Sequence, residues 1–385
     1  MLCAEMLDIL IFSSFYLPGF KGGGPIRTIS NMVEKLGDEI QFSVVTKDRD
    51  LGEGKPYAAI SPNQWQRVGK AKIFYATTNA MWPFALWRVV AEFKGDALHL
   101  NSFFSFNFGI LPFFYWKLMG RGRPIVLGPR GEFSEGALKL KASKKKLFLG
   151  LVGLLNIYKN VIWHASSEHE ERDIRRLMGA KADVRIAMDI ACPPNELNFE
   201  HRLDGMPLRI VFLSRISPMK NLQGAIEIMK KVSGSVIFDV YGPIEDAEYW
   251  HSCKAAIKEL PINVKFGYKG ELVPAMVVQT LARYDLFFLP TLGENFGHVI
   301  AEALGCGLPV LISDNTPWGN LTENQLGWGL PLRNVDDFVE KIEQCGRIAA
   351  VDYENWRCQI HFWAKENIGN TDAIAQSRSL FEELI

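Results

Sequence analysis

The sequence has no paired cysteines and no long apolar run. Its cysteines are scattered without a Cys-x-x-Cys pair, so neither a disulfide framework nor a cysteine zinc site is predicted. We therefore expect reduced thiols and a cytoplasmic location. No uninterrupted apolar stretch approaches the ~18–20 residues of a membrane-spanning helix. The apolar start contains Glu5 and Asp8, which favours a first strand over a signal peptide.

The sequence also lacks a strong net charge and a cluster of residues with metal-ligand spacing. The 43 Lys and Arg residues balance 43 Asp and Glu residues. The mildly basic amino-terminal half is too weakly charged for a nucleic-acid-binding protein. No His, Cys and Asp cluster has zinc spacing, so we expect no metal or other cofactor. Asp48-Arg49-Asp50 resembles a metal-binding Asp-x-Asp, but its position in a polar loop after a strand favours a solvated turn.

What is present is an α/β pattern on the scale of two domains. The chain has 385 residues and is 48% apolar, as expected for packed domains. Short apolar runs alternate with amphipathic stretches, which predicts parallel sheets, and no solenoid repeat is found. Cys192-Pro-Pro-Asn195 is typical of a linker. We predict domains at residues 1–195 and 205–352.

Residues 289–313 are the most informative segment, predicted as strand, glycine-bearing turn, helix and strand. The predicted helix carries one carboxylate, Glu302, and Glu294 lies in the turn before it. A helix N-terminus attracts phosphate and partially negative oxygens. Two hydroxyl acceptors beside an anion-binding N-terminus suit a sugar nucleotide. The amides that would open this helix belong to Phe296, Gly297 and His298.

Two cations follow the first strand of the second domain. Residues 208–213 predict that strand, and Arg215 and Lys220 lie in the loop after it. Two cations in such a loop can hold a diphosphate and stabilise its charge as it leaves. The alternative is a pair of solvated loop side chains.

A glycine-rich loop follows the first strand of the first domain. Gly22, Gly23 and Gly24 allow a ligand to approach the backbone closely, and Pro25 suits a helix start. Arg27 stands where a dinucleotide fingerprint needs its third glycine, which argues against a nicotinamide cofactor. The alternative is a merely flexible loop.

Other polar residues of the first domain lie at predicted strand ends. Asn101 ends one strand, and side chains there point into the crevice of an α/β sheet. Arg130 is a candidate acceptor-side anion contact, with a surface turn arginine as the alternative. His164 is a second acceptor-side candidate, although a histidine in this position is more often a buried, hydrogen-bonded strand residue than a catalyst. Ser167 with Glu170 fits a helix capping box.

Residues 139–155 place five lysines before an apolar helical stretch. A basic cluster beside an apolar helix is typical of contact with an anionic membrane surface. The alternative is a helix packed on its own sheet, where Gly150 and Gly153 would allow close packing. The lysines are Lys139, Lys141, Lys144, Lys145 and Lys146.

Over nearly its whole length the chain resembles the retaining glycosyltransferases of family 4, of the type that builds bacterial surface polysaccharides. The specific motifs are Arg215-x4-Lys220 and Glu294-Asn-Phe-Gly-x4-Glu302, followed by Ala303-Leu-Gly-Cys-Gly-Leu-Pro-Val. Tyr16-Leu-Pro-Gly-Phe-Lys-Gly-Gly-Gly-Pro looks like the first-loop motif, and Gly128-Pro-Arg-Gly resembles surface-polysaccharide members. The resemblance implies the GT-B fold: two Rossmann-like domains facing across a cleft, with tail helices from about residue 353 to 385 crossing back.

The resemblance also implies roles in binding a nucleoside diphosphate sugar, with UDP weakly favoured. Glu294 would bind sugar hydroxyls, Glu302 the ribose, and Arg215 and Lys220 the diphosphate. Gly23 and Gly24 would lie against the phosphates or the acceptor from the other domain. The base would be cradled by Tyr268, Lys269 and Leu272. We also assign donor binding to Gly242, Asn295, Phe296, Gly297 and His298.

One departure from the family pattern bears on the mechanism. Family members often carry His-x-His at the end of a first-domain strand, whereas this chain has His99-Leu-Asn101. Asn101 can hydrogen-bond a sugar but cannot take a proton. The leaving diphosphate itself can receive the acceptor proton, so an asparagine at this position need not abolish activity. We therefore count Asn101 with Glu294, Arg215 and Lys220 as a catalytic candidate.

The predicted function is a retaining hexosyltransferase that acts on a lipid-linked or oligosaccharide acceptor, with a peripheral contact on the inner face of the plasma membrane. Two alternatives stay open. One is a sugar-nucleotide epimerase on the same fold, and the other is an inactive donor-binding partner subunit, which Asn101 would favour.

Overall fold

The structure is a computed structural model that describes residues 6–77, 82–119, 122–139, 142–194, 196, 199–369 and 371–384. The chain divides into two compact units. Unit 1 comprises Met1–Ile190 and Thr371–Ile385, and unit 2 comprises Ala191–Asn370.

Unit 1 is built on an eight-stranded sheet, sheet A, in the order β3-β4-β2-β1-β5-β6-β7-β8. Neighbouring strands are parallel except for β3 and β4. The strands are β1 (Asp8–Phe12), β2 (Gln41–Lys47), β3 (Trp65–Val68), β4 (Ala71–Ala76), β5 (Ala97–Leu100), β6 (Ile125–Leu127), β7 (Ile162–Ala165) and β8 (Val184–Ile186).

Helices cover both faces of sheet A. Alternate residues of β1 enter different cores: Ile9 and Ile11 join one, and Leu10 and Phe12 join the other. Strands buried on both faces require such continuous apolar runs. The helices are α1 (Gly24–Leu36), α2 (Trp82–Glu92), α3 (Leu111–Leu118), α4 (Glu135–Lys139), α5 (Ala142–Leu155) and α6 (Glu168–Met178), with a π-helical turn at Phe106–Ile110.

Unit 2 holds an all-parallel sheet of six strands, sheet B, in the order β11-β10-β9-β12-β13-β14. Its strands are β9 (Leu208–Leu213), β10 (Val236–Tyr241), β11 (Val264–Gly270), β12 (Leu286–Leu289), β13 (Val310–Ser313) and β14 (Gly327–Leu330). Its helices are α7 (Leu222–Met229), α8 (Ala247–Ile257), α9 (Val277–Leu281), α10 (His298–Gly305), α11 (Val335–Arg347) and α12 (Ala350–Asn367).

The two last helices belong to different units. In α12, the fully buried Arg357 donates to the carbonyls of Tyr284 and Cys306, which fixes this helix on unit 2. The last helix, α13 (Thr371–Glu382), packs on unit 1, where the Phe381 and Phe42 ring centroids lie 6.0 Å apart. We expected the return to unit 1 at about residue 353, whereas α12 stays with unit 2.

Each sheet has one point where strand order reverses, and ligands of open α/β sheets bind at the carboxyl ends of strands there. In sheet A this point lies between β1 and β5, and in sheet B it lies between β9 and β12. The predicted fold class, two α/β domains with parallel sheets, is confirmed.

Candidate functional site

The main group of predicted residues lies at the switch point of sheet B. Arg215 and Lys220 follow β9, and Glu294 follows β12, which pairs directly with β9. Because the carboxyl ends of parallel strands meet at one edge, the two loops are neighbours. The topology therefore brings together side chains that are far apart in sequence.

Lys220 and Glu294 form an ion pair. Lys220 Nζ lies 2.5 Å from Glu294 Oε1, and each side chain is 12% exposed. A largely desolvated pair of this kind interacts more strongly than a solvated one. The ammonium could exchange the carboxylate for a phosphate group, and the carboxylate could exchange the ammonium for a sugar hydroxyl.

Hydrogen bonds tie the loop after β9 to the loop after β12. Asn221, in the left-handed conformation at φ 57°, caps α7 and donates from Nδ2 to the carbonyl of Pro290 at 2.8 Å. The Thr291 hydroxyl and the Leu292 amide both donate to the Met219 carbonyl, at 3.0 and 2.8 Å. These bonds fix the spacing of Lys220 and Glu294.

The turn that opens α10 is shaped by Gly297 and Trp318. Gly297 has φ 81°, and a Cβ added there would lie 2.8 Å from Ile300 Cδ1, so a glycine is required. Trp318 Nε1 donates to the Phe296 carbonyl at 2.6 Å. Phe296 also lies near His298, with ring centroids 4.8 Å apart. The sequence interpretation missed Trp318, which follows a proline in the loop after β13.

Arg215 is held by a residue that the sequence interpretation also missed, Glu245. Arg215 Nη1 donates to both carboxylate oxygens of Glu245 at 2.9 Å. Among the described residues Arg215 makes no other side-chain hydrogen bond, so the N–H groups of Nε and Nη2 remain available to a ligand. Only the position of Glu245, just past the Gly-Pro turn after β10, could have signalled it.

Gly242 brings these two loops together. It has φ 141°, and a Cβ there would lie 1.8 Å from the Ser214 carbonyl oxygen, so no other residue fits. Beyond it, Ile216 and Ile244 form a parallel bridge. Gly242 is thus the close contact that sets Arg215 beside Glu245, and its predicted role in donor binding stays a prediction.

The predicted base-binding residues lie at the end of β11, next to this contact. The Tyr268 hydroxyl donates to the Gly242 carbonyl at 2.9 Å, and its ring lies 4.8 Å from that of Trp250. Lys269 Nζ lies 3.4 Å from the carboxylate of Asp239. Leu272 is partly buried against the core of unit 2.

The other predicted donor residues lie in or beside α10. Glu302 is half-buried within the helix, Asn295 is half-buried in the turn before it, and His298 is buried at its first turn. The Glu294 amide donates to the Asn315 carbonyl at 3.1 Å, which adds the loop after β13 to the same edge.

In unit 1, Arg130 lies inside the structure. Its side chain is 5% exposed, and Nη1 pairs with the Asp189 carboxylate at 3.0 Å. Nε and Nη2 both donate to Asn101 Oδ1, at 3.0 and 2.9 Å. The charge of Arg130 is therefore neutralised by Asp189 and its donors hold Asn101, while its acceptor-side role stays a prediction.

His164 and His99 are buried and neutral. His164 Nε2 donates to the Ala187 carbonyl at 2.9 Å, which leaves Nδ1 to accept from Arg130 Nη2 at 3.2 Å. Burial, followed by the nearby Arg130 charge, lowers the pKa of His164 to about 3. Burial also lowers the pKa of His99 well below its usual value, and its ring nitrogens have no hydrogen-bond partner among the described residues.

The remaining unit 1 residues form structural contacts. Gly24 opens α1 and Gly23 precedes it, with no side chain capping the helix. Asp50, expected in a solvated turn, is buried and accepts from the amides of Phe20 and Lys21 at 2.7 and 3.1 Å. The turn expectation is therefore wrong: Asp50 organises the first-loop backbone.

Only one of the two hydrogen bonds of the predicted capping box is formed. Ser167 Oγ accepts from the Glu170 amide at 3.2 Å, as expected. The carboxylate of Glu170 instead accepts from the Gly131 amide at 2.7 Å and from Ser166. This links α6 to the turn that carries Arg130.

Helix α5 exposes an apolar face. Gly150 and Gly153 would meet no described atom within 4 Å if they carried a Cβ, so the close packing expected in the alternative interpretation is not formed at these glycines. No helix among the described residues is long and apolar enough to cross a membrane. The exposed side chains are Leu147, Leu151, Leu154 and Leu155, at 69, 49, 82 and 63%.

Comparison with known proteins assigns the second unit. Residues 195–347 match the family model described as glycosyl transferases group 1. Unit 2 carries a glycosyltransferase group 1 domain. One curated relative, a putative colanic acid biosynthesis glycosyltransferase, WcaL, of Salmonella typhimurium, is 22% identical over 244 residues. That match covers 57% of this chain and 60% of the relative.

Solved structures match the fold of the whole chain. HepE of Anabaena in complex with UDP-glucose has a TM-score of 0.71 at 16% identity, covering 98% of this chain and 99% of that one. Sucrose-phosphate synthase of Thermosynechococcus elongatus has a TM-score of 0.70 at 17% identity, with the same coverage. The expected GT-B fold is confirmed.

Proposed function

We propose that this protein is a retaining glycosyltransferase of family 4 that transfers a sugar from a UDP-sugar to a hydroxyl group. The acceptor is a lipid-linked or free oligosaccharide in surface polysaccharide or lipopolysaccharide biosynthesis. The observation that carries the proposal is the Lys220–Glu294 pair beside Arg215 at the switch point of sheet B.

The donor chemistry follows from the charges at this edge. Arg215 offers Nε and Nη2 to a phosphate oxygen while Glu245 holds its Nη1. Lys220 would move its ammonium from Glu294 to the second phosphate, which frees the carboxylate for a sugar hydroxyl. Two preorganised cations stabilise the charge that develops on the leaving diphosphate. We propose that this pair carries the charge without a metal ion.

We propose retention of configuration because no protein base is needed when the leaving diphosphate takes the proton of the acceptor hydroxyl. Asn101 cannot take a proton, and its Oδ1 is already occupied by Arg130. The leaving diphosphate can accept the proton of the incoming hydroxyl on the face from which it departs. Attack on that same face keeps the anomeric configuration.

Donor and acceptor classes are supported by the relatives. HepE was solved with UDP-glucose, and WcaL is named for colanic acid biosynthesis. The first title fits a UDP-sugar donor and the second fits a polysaccharide acceptor, the two classes that we propose for this chain.

The test is transfer of labelled sugar from UDP-glucose, UDP-galactose and GDP-mannose to a bacterial lipid-linked saccharide extract. We expect one donor to be used, with loss of transfer in Lys220→Met and Glu294→Ala. Lys254→Met, an exposed lysine of α8, is the matched control and should retain full activity. Full transfer by Glu294→Ala would contradict the proposal.

Two further outcomes identify the alternatives. Release of an epimerised sugar without an acceptor would indicate an epimerase. Nucleotide binding without transfer to any fraction of the extract would indicate an inactive donor-binding partner. The anomeric configuration of the product, read from the proton coupling constant by NMR, tests retention.

We also propose that α5 rests on an anionic membrane surface. The exposed lysines Lys144 and Lys146 stand at the start of the helix whose exposed face carries the four leucines. Leu147, Leu151 and Leu154 recur at helical spacing, so they share one face. Lysines attract anionic headgroups while the leucines enter the interface.

Vesicle sedimentation tests this contact. Binding to phosphatidylcholine vesicles should rise several-fold when phosphatidylglycerol is added, and Leu151→Ser with Leu154→Ser should abolish the gain. Leu203→Ser, at a residue of unit 2 that is 67% exposed, is the matched control. Equal binding with and without phosphatidylglycerol would contradict the proposal.

A further inference from the structure

Lys47 is a cation with no carboxylate partner at the carboxyl edge of sheet A. It is the last residue of β2, which pairs with β1, one of the two strands at the switch point. No carboxylate of the described residues lies within ion-pair distance of its ammonium. Ligands of open α/β sheets bind outside the carboxyl ends of the strands at the switch point, which begins one strand from Lys47.

Aromatic rings surround the ammonium in place of a counter-ion. Lys47 Nζ lies 4.6 Å from the ring centroid of Phe15, just after β1, and 6.0 Å from that of Phe108, after β5. Phe15 and Lys47 are half-buried, and Phe108 is buried. Burial lowers the pKa of the Lys47 ammonium, as expected for a cation that lacks a compensating charge.

Nearby acidic groups are already occupied. Asp48 takes both Nε and Nη2 of Arg49, at 2.8 and 3.2 Å. Asp50 accepts backbone amides of the first loop. The other buried cation considered at this edge, Arg130, is neutralised by Asp189. The positive charge of Lys47 is therefore left for a ligand.

We propose that Lys47, with the Phe15 and Phe108 rings as walls, forms an anion-binding site of unit 1 for a phosphate or carboxylate group of the acceptor saccharide. The apolar walls exclude water and so strengthen the attraction between ammonium and anion. The exposed part of the Phe15 ring offers a face for a sugar ring beside that group. The inference rests on the proposed glycosyl transfer, since it concerns the acceptor of that reaction.

Two sources of the anion share this chemistry: the phosphate that links a saccharide to its lipid, and the carboxylate of a uronic acid. Glucose 1-phosphate and glucuronate represent the two, and glucose is the neutral reference. Saturating UDP keeps the phosphate probe away from Arg215 and Lys220. Binding is measured by saturation-transfer NMR titration on the full chain.

The wild-type protein should bind at least one anionic probe about fivefold to tenfold more tightly than glucose, the gain of a charge-assisted hydrogen bond. Glucose 1-phosphate alone would assign the phosphate source, and glucuronate alone the carboxylate source. Lys47→Met keeps the apolar stem and should lose the preference, whereas Lys47→Arg should keep it. Lys55→Met, at an exposed lysine of the same unit, should behave as wild type.

UDP binding is measured first on each sample. Its absence from the wild-type protein would overturn the proposed function and this inference with it. Intact UDP binding with an anion preference that survives Lys47→Met, or with no preference in the wild type, would overturn this inference alone.

Discussion

Lys220 and Glu294 are 74 positions apart in sequence, and their charged groups meet at 2.5 Å. A diphosphate would compete with Glu294 for the ammonium, and a sugar hydroxyl would compete with Lys220 for the carboxylate. Donor binding therefore exchanges one set of partners for another, so neither charge is left without a partner at any stage.

Removal of the ammonium should weaken diphosphate binding. In Lys220→Met the Nζ contact to phosphate is lost, and Glu294 also keeps an unpaired charge near the site. We expect the affinity for UDP to fall about tenfold or more, the loss of one charge-assisted hydrogen bond or somewhat more. Isothermal titration calorimetry measures it, with Lys254→Met as control. An unchanged dissociation constant would place the diphosphate elsewhere.

Glu245 should act as a positioning residue for Arg215. Its carboxylate holds Nη1 and leaves Nε and Nη2 for an anion. We expect Glu245→Ala to release the guanidinium and raise the donor KM about threefold to tenfold, in line with one lost charge-assisted hydrogen bond. Glu245→Gln retains an acceptor oxygen for Nη1 and should recover most of the affinity. Tighter UDP binding by Glu245→Ala would show instead that the carboxylate competes with phosphate.

The sequence predicts the residues that follow strand ends, but it does not predict their contact partners from distant parts of the chain. The apolar runs predict most strands, and parallel topology then brings Lys220 and Glu294 to one edge. The sequence carries no signal that Arg130 is buried, because its partner Asp189 lies 59 positions away. For Arg215, the partner Glu245 follows a different strand.

Further fold features were missed, among them β3, β14 and the unit to which α12 belongs. Strand β3 is only half-buried and antiparallel, so it lacks the apolar run that reveals the other strands. Helix α12 stays with unit 2 because the Arg357 guanidinium satisfies two buried carbonyls there. Such contacts depend on the folded structure and leave no local pattern.

The Trp318 indole should stabilise the turn before α10. Trp318→Phe keeps the ring contact with Phe296, whose centroid lies 5.7 Å away, and removes the N–H donor to its carbonyl. We expect the free energy of unfolding to fall by about 1 kcal/mol, the net contribution of one hydrogen bond. The donor KM should rise while kcat changes less. A lower free energy of unfolding with an unaltered donor KM would limit Trp318 to a structural role.

His99 should make stability depend on pH below about 6.5, the ordinary pKa of histidine. Its folded-state pKa is lowered, so below that value the unfolded chain binds a proton that the folded chain does not. Stability is then lost as pH falls, by about 1.4 kcal/mol per pH unit for this group. His99→Leu should be at least as stable as wild type at pH 7, because the imidazole nitrogens have no described partner.

Urea titrations at pH 7, 6 and 5 measure this effect. The difference between His99→Leu and wild type should grow as pH falls, since the variant lacks the group that titrates. His251→Leu, at an exposed histidine of unit 2, is the control for the loss of an imidazole from the surface. A constant difference across the three pH values would contradict a neutral His99 in the folded state.

The most direct test of the account compares UDP with UDP-sugar binding in wild type and Glu294→Ala. Calorimetry with UDP and with the UDP-sugar used in transfer gives the affinity that the sugar adds. If Glu294 binds the sugar, the alanine variant should keep UDP binding and lose that added affinity. Equal affinity gain from the sugar in both proteins would contradict the assignment of the β9–β12 edge as the donor site.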